Sequence, residues 1–216
     1  MSDWSIYEGQ NYDGVCLPAL KPKQGLIGVP KKSWLARWMN EGMRRTVRAV
    51  FITHSEGTPH VVIFEQRSGV ETHPFLCGGK LIEGESERDG LSRHLRSVIL
   101  KDKSSDSCEW KVGDLIAKFY RPDFGEYIYP YIPAHVTRPK EEISVFQVVL
   151  PPKCVFGLRE GTTMSAVPMC DILKNPESFP QLIRAIPELV SRFVIYSYVP
   201  GRPGFAPLPQ NNRRIP

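Results

Sequence analysis

The chain has 216 residues, 41% of them hydrophobic and 24% charged, which suits one large domain or a domain with arms, long enough to bury a proper core. A formal net charge of +5 and a pI near 9.0 permit a polyanionic partner without requiring one. Cys16, Cys77, Cys108, Cys154 and Cys170 form no metal-ligand spacing, the opening MSDWSIYEGQ has no apolar signal core and no apolar run could span a bilayer, so structural zinc, secretion and membrane insertion are set aside in favour of a soluble intracellular protein with free thiols.

Residues 1–30, rich in Gly and Pro, read as an extended arm, and Lys31 to Glu41 as a short helix with Trp34 and Trp38 on one face. Packing against the domain is favoured for these rings over ligand stacking. Thr46 to Ile52 reads as a strand, Gly57-Thr58-Pro59 as a turn and His60 to Phe64 as the hairpin partner. A loop from Arg67 to Pro74 leads through Phe75-Leu76 into Gly78-Gly79.

From Ser86 the pattern is helical. Ser86 and Asp89 have capping-box spacing, and Leu91, Leu95, Val98 and Ile99 fall on one apolar stripe with Arg93 and Arg96 beside it. The polar stretch Lys101 to Asp106 ends this helix. Further strands are expected at Leu115–Tyr120, Val145–Leu150 and Thr162–Val167. The segment Tyr127 to Pro133 carries too much proline for a central strand and must cross a surface or line a groove. Asp171–Lys174 could open a helical turn, and Pro180–Phe193 reads as a helix bent at Pro187. Residues 199–216 form a Pro/Gly/Arg tail expected to be disordered. The order of elements predicts an α/β fold, a mixed sheet sandwiched by helices. It divides into an arm and helix (1–41), a domain (42–198) and a tail (199–216).

Gly79, Glu85 and Arg93 stand at the spacings of the Nudix pattern G-x5-E-x7-R-E-U-x-E-E-x-G-U, and Leu95 fills its apolar position. The acids that should follow are His94, Ser97 and Val98, and the late glycine is Leu100. Where those acids are present they hold a divalent cation on carboxylate oxygens; imidazole, hydroxyl and isopropyl groups cannot replace them for a hard ion. The motif therefore resembles a Nudix loop and helix that has lost its metal site.

Four further blocks sharpen the resemblance: Gly42 to Val47, Gly78 to Leu81, Tyr129 to Glu141 (YPYIPAHVTRPKE) and Ile186 to Phe193. Together they resemble the small Nudix subunit family of the mammalian-type pre-mRNA cleavage factor I, over about residues 40–197. The resemblance implies a Nudix-type α/β/α sandwich and a nuclear, homodimeric, non-catalytic protein. It also implies binding to single-stranded UGUA-like RNA, without cofactor or metal, beside a larger subunit that carries an RNA-recognition domain. Poly(A) polymerase is a further partner it suggests.

Aligned back from Gly78-Gly79, the family's T-T-F-F-K-L-P-G-G loop places Thr72 at its second threonine and His73 at the base-stacking phenylalanine. Pro74 falls at the next phenylalanine and Leu76 at the leucine. His73 can stack with a smaller ring, Pro74 has no N–H to offer, and Phe75 could swing in as the platform. Arg48 stands where the family has a base-reading glutamate, and Phe179 where it has a tyrosine. Arg37, with Lys31 and Lys32, are the candidates for an N-terminal arginine. The implied RNA-binding set is Arg37, Arg48, Thr72, His73, Phe75, Leu76 and Phe179. Two rival readings stand beside it. One is a residual dinucleoside polyphosphate hydrolase drawing on Glu83, Glu85, Glu87 and Asp89; the other is a dimeric scaffold with no RNA contact of its own.

Overall fold

The computed structural model describes residues 4–16, 31–69, 71–100, 110–198 and 206–207. The chain opens with strands β1 (Trp4–Ile6) and β2 (Tyr12–Cys16), then helix α1 (Lys31–Glu41). Next come β3 (Arg44–Val50), β4 (Ile52–Ser55), β5 (Thr58–Ser68), β6 (Glu71–Phe75) and β7 (Gly78–Lys80). Helix α2 (Glu87–Arg96) leads to β8 (Ile99–Leu100), β9 (Lys111–Arg121), β10 (Glu141–Val149), β11 (Cys154–Leu158) and β12 (Thr162–Pro168). Short helices α3 (Met169–Lys174), α4 (Gln181–Arg184) and α5 (Ile186–Val190) precede β13 (Ile195–Ser197) and β14 (Ala206–Pro207).

The central sheet has the order β7-β3-β10-β9. Strands β3 and β10 are parallel, with Thr46 opposite Ile143, and the other neighbours are antiparallel. Alternation along β3 and β10 sends Val47, Ala49, Phe146 and Val148 to one apolar cluster with Leu91 and Leu95 of α2. It sends Val50, Ile143 and Val145 to a second cluster with Ile172, Ile183, Ile186 and Val190 of α3–α5. This is the expected layering: a mixed sheet with a helix on one face and a helical cluster on the other.

Several local expectations need correction. The arm is not a loose extension where it is described. Trp4 and Ile6 are buried, and β1 and β2 pair in parallel with β13 and β11; residues 17–30 lie outside the described residues. The strand expected to run to Ile52 breaks at Phe51, so β3 and β4 serve different sheets. The turn that follows uses Glu56 and Gly57, both at positive φ, as two-residue hairpins require. The loop expected from Arg67 to Pro74 is instead a hairpin, with β6 antiparallel to β5; Pro74 is tolerated there because β6 pairs on one side only.

The helix from Ser86 is capped as read, Ser86 Oγ accepting from the Asp89 N–H at 3.2 Å. It ends at Arg96 with Ser97 as C-cap, so Ile99 belongs to a strand. Lys101–Asp106 lie outside the described residues. Strand β11 has no counterpart in the sequence reading. The last helix is split rather than bent, with α5 beginning afresh around Pro187. Of the tail, Ala206–Pro207 pair antiparallel with β13; the rest lies outside the described residues.

Candidate functional site: a Nudix-type loop and helix above a basic sheet face

The Gly-Gly turn is built by backbone sterics. Gly78 adopts φ 138°, and a Cβ there would lie 2.1 Å from the Val47 carbonyl oxygen, so only glycine lets β7 lie against β3. Gly79 faces the His94 ring, which a Cβ would meet at 2.5 Å. His94 is buried, and its Nε2 donates to the Lys80 carbonyl at 3.0 Å. Arg93 Nη2 donates to the same oxygen at 3.2 Å, so both lone pairs of that carbonyl have donors. Ser97 Oγ turns back to the His94 carbonyl at 2.7 Å, and Val98 packs against the α2-side core. Position 94 thus supplies an imidazole seated on glycine backbone, position 97 a helix-capping hydroxyl and position 98 an apolar group. This donor set does not fit a cation that demands carboxylate oxygens.

The acids available to a residual hydrolase are largely engaged. Glu85 forms a bidentate pair with Arg93, both contacts at 2.8 Å, and accepts from the Ile82 N–H at 2.9 Å. Glu87 accepts from Lys118 at 2.8 Å and Ser144 at 3.0 Å, with Arg45 3.5 Å away. Asp89 takes the Ser86 hydroxyl at 2.6 Å. Glu83 is exposed. Among the described residues no three His, Cys, Asp or Glu side chains are grouped as metal ligands.

The Arg93 hydrogen bonds, helped by the Ile82 N–H, hold the Glu85 carboxyl down at about 2. A carboxyl depressed in the folded state stabilises the fold above its unfolded value near 4.5, and that contribution fades as pH falls toward about 2. Glu85→Gln should therefore flatten the acid limb of a stability-against-pH curve over this window. A variant with the wild-type acid limb would show that the pair holds no folded-state advantage.

The opposite sheet face is basic. Arg44, Thr46 and Arg48 alternate along β3 toward it. Buried Glu141 at the start of β10 receives the Thr46 hydroxyl at 2.6 Å, Arg121 Nε at 3.0 Å and Arg44 Nε at 3.4 Å. Trp34 of α1 lies over the same guanidiniums, its ring centroid 6.0 Å from Arg44 and 5.7 Å from Arg121. Lys140 Nζ sits 3.4 Å from the Trp38 centroid, and Phe124 contacts both indoles. Burial lowers the pKa of Arg44, with Glu141 opposing and Arg48, Arg37 and Arg121 adding to the fall. Sequence reading missed Glu141, Arg121 and Lys140. The i, i+2 spacing of Arg44, Thr46 and Arg48 was the available signal.

The residues expected at the site divide between two surroundings. Arg48 is half-buried and donates to the Leu76 carbonyl at 3.1 Å, tying β3 to the approach of the Gly-Gly turn. Its neighbour Cys77 has its thiol pushed up to about 12 by burial, against the pull of Arg48. The Leu76 side chain is core, packed with the α3–α5 side, so only its backbone can face a ligand. Phe179 lies partly buried on that same cluster. Phe75 instead joins the α2-side cluster, its ring 5.9 Å from Phe64, which leaves it packed rather than poised to swing. Thr72 is exposed on β6, and His73 is half-buried with Nε2 3.4 Å from the Glu71 carboxylate. Arg37 is exposed on α1. The structure joins Arg48 directly to Leu76 and sets Thr72, His73 and Phe75 along one strand.

Comparison with known proteins fits this geometry. A Nudix family model, described as "Nucleotide hydrolase", matches residues 2–193. The cleavage and polyadenylation specificity factor subunit 5 of Dictyostelium discoideum is 36% identical over 71% of this chain and 75% of its own length. The pre-mRNA cleavage factor Im 25 kDa subunit 2 of Arabidopsis thaliana is 33% identical over 72% and 76%. Among solved structures, a C. elegans Ap4A hydrolase binary complex aligns with TM-score 0.45 at 13% identity, over 70% of this chain and 100% of that one. With its Gly-Gly turn and glutamate–arginine pair in place, the chain belongs to the Nudix family, in the branch of cleavage and polyadenylation specificity factor subunit 5 and the cleavage factor Im 25 kDa subunits.

Proposed function

We propose that this protein is a non-catalytic, RNA-binding subunit of the nuclear machinery that cleaves and polyadenylates pre-mRNA. It works as a homodimer beside a larger subunit carrying an RNA-recognition domain, with poly(A) polymerase as a further contact. The observation that carries the reading is the seat of His94: the first position of the lost acid set is filled by a ring locked onto Gly79 and Lys80. The relatives named as pre-mRNA cleavage factor subunits support the role in 3′-end processing.

Single-stranded RNA of UGUA-like sequence is read where β6 meets the Gly-Gly turn. The outer edge of β6 has no strand beside it among the described residues, so its backbone groups can meet base edges. Thr72 and His73 stand at that edge, His73 supplying a stacking ring, with Phe75 packed behind them on Phe64 and Phe179 a further ring of the set on the α3–α5 side. Arg48 and Arg37 supply positive charge, and the Leu76 backbone lies at the centre. Stacking on a side chain is worth ~1–3 kcal/mol per base. Arg48 cannot accept a base N–H as a glutamate would, so the preference for UGUA over scrambled sequences is weaker than a glutamate at this position would give.

Polarisation binding with short labelled RNAs tests this. His73→Ala and Arg48→Glu should each weaken binding by about 5- to 100-fold, in line with one stacked base or one charge contact. Affinity untouched by both changes would leave a scaffold without RNA contact. Mg²⁺-dependent turnover of a dinucleoside polyphosphate, lost in Glu85→Ala, would instead establish a hydrolase.

A further inference from the structure

The basic face under α1 carries more cations than its acid can balance. Arg44, Arg48, Arg121 and Lys140 gather there, and among the described residues Glu141 is the one carboxylate ion-paired with any of them. The remaining charge is met by backbone carbonyls, Leu76 for Arg48 and Gly125 for Arg121, and by ring faces, with Trp34 over Arg44 and Arg121, and Trp38 and Phe124 beside Lys140. An indole lying over guanidinium groups reproduces the stacking by which proteins hold unpaired nucleobases. Glu141 fixes both guanidiniums from below through their Nε atoms, so the platform is built whether or not the indole rests on it.

The element that delivers the ring is lightly attached. Helix α1 holds to the body through Trp34 and Trp38 and, at its last residue, through an exposed ion pair of Glu41 with Lys80, while Leu35, Ala36, Arg37, Met39 and Asn40 face outward. It joins β3 through Gly42, which sits at φ 76° with nothing within 4 Å of a Cβ position. That residue can absorb a change of direction without a clash. A cation–π contact of this kind is weak enough for an incoming base with its phosphates to replace.

We infer that the Arg44–Arg121 pair on Glu141 is a second nucleobase subsite for single-stranded RNA, and that Trp34 occupies it until RNA displaces α1 about Gly42. This rests on the RNA-binding reading above and extends it to residues outside the β6 edge. Binding at the β6 edge comes first, and the strand then continues under α1, where its phosphates meet Lys140 and the exchange of indole for base completes the contact.

Full-length wild-type protein, Trp34→Ala and Trp34→Phe are compared for binding a labelled single-stranded RNA of about ten nucleotides. Amide hydrogen exchange across α1 is followed with and without that RNA. Trp34→Ala should bind about 3- to 10-fold tighter and Trp34→Phe by less, which is the competing cation–π contact converted to affinity. In wild type the α1 amides should exchange faster when RNA is bound, the reverse of ordinary protection. If Trp34→Ala binds more weakly, the indole is itself a contact and the inference is overturned. Equal affinity with unchanged α1 exchange overturns it too, while wild-type binding sensitive to His73→Ala leaves the β6 reading standing. Should Trp34→Ala fail to fold, Trp34→Phe and the exchange data decide alone. No RNA binding by wild type or either variant removes both readings together.

Discussion

Gly78→Ala should pull β7 away from β3 and destabilise the fold strongly. The added carbon would sit 2.1 Å from the Val47 carbonyl oxygen and 3.1 Å from Arg48 Cα, both backbone atoms, at φ 138°. Neither a rotamer change nor a side-chain shift relieves such a clash; β7 must leave β3. Strain of this kind and overpacking each cost ~1–3 kcal/mol, so a combined loss of about 3–5 kcal/mol is expected, roughly 10 °C in Tm for a chain of this size.

Gly79→Ala makes the informative contrast. Its Cβ would meet the His94 ring rather than backbone, so the loss should be smaller, ~1–3 kcal/mol. Adding His94→Ala should recover part of it, because the second change removes the obstacle. Chemical denaturation of Gly79→Ala, His94→Ala and the double variant beside wild type gives the coupling directly. If Gly78→Ala proves as mild as Gly79→Ala, the close approach of β7 and β3 is wrong.

The same pair of glycines shows what the sequence made legible. Gly79, Glu85 and Arg93 announced a loop-helix unit at fixed spacing, and the structure places Glu85 and Arg93 in a bidentate pair. Helix α2 was legible from the Ser86–Asp89 cap and the Leu91 and Leu95 stripe, because both signals are local. Strand β6 was hidden because Thr72, His73 and Pro74 carry weak strand signals, and an edge strand tolerates proline. Strand β1 was hidden for a different reason: three residues acquire strand character only by pairing with Ile195–Ser197 at the other end of the domain. The absence of carboxylates at 94, 97 and 98 was plain in the sequence. That His94 would occupy the face of Gly79 was not, since it depends on how closely α2 approaches β7. That Phe75 packs on Phe64 was not legible, because alternation on an unrecognised strand turns it there.

Glu141→Gln should expose how the basic face is held. Glutamine keeps the shape and can still accept the Thr46 hydroxyl, but the charge that binds Arg44 and Arg121 is lost. Removing one partner of a fully buried ion pair costs ~3–5 kcal/mol. The two guanidiniums here retain some solvent contact, with side chains 22% and 16% exposed, so about 2–4 kcal/mol is expected. The stranded cations should then seek other anions. Sulfate or phosphate should raise the Tm of the variant more than that of wild type, since an anion bound only by the folded state stabilises by mass action. RNA affinity in the surviving folded protein should become more salt-dependent, because each additional phosphate neutralised releases counterions and steepens the slope by about 0.7 for a single strand. A variant with wild-type stability and an unchanged salt slope would mean that Arg44 and Arg121 find their balance elsewhere, and that Glu141 does not organise this face.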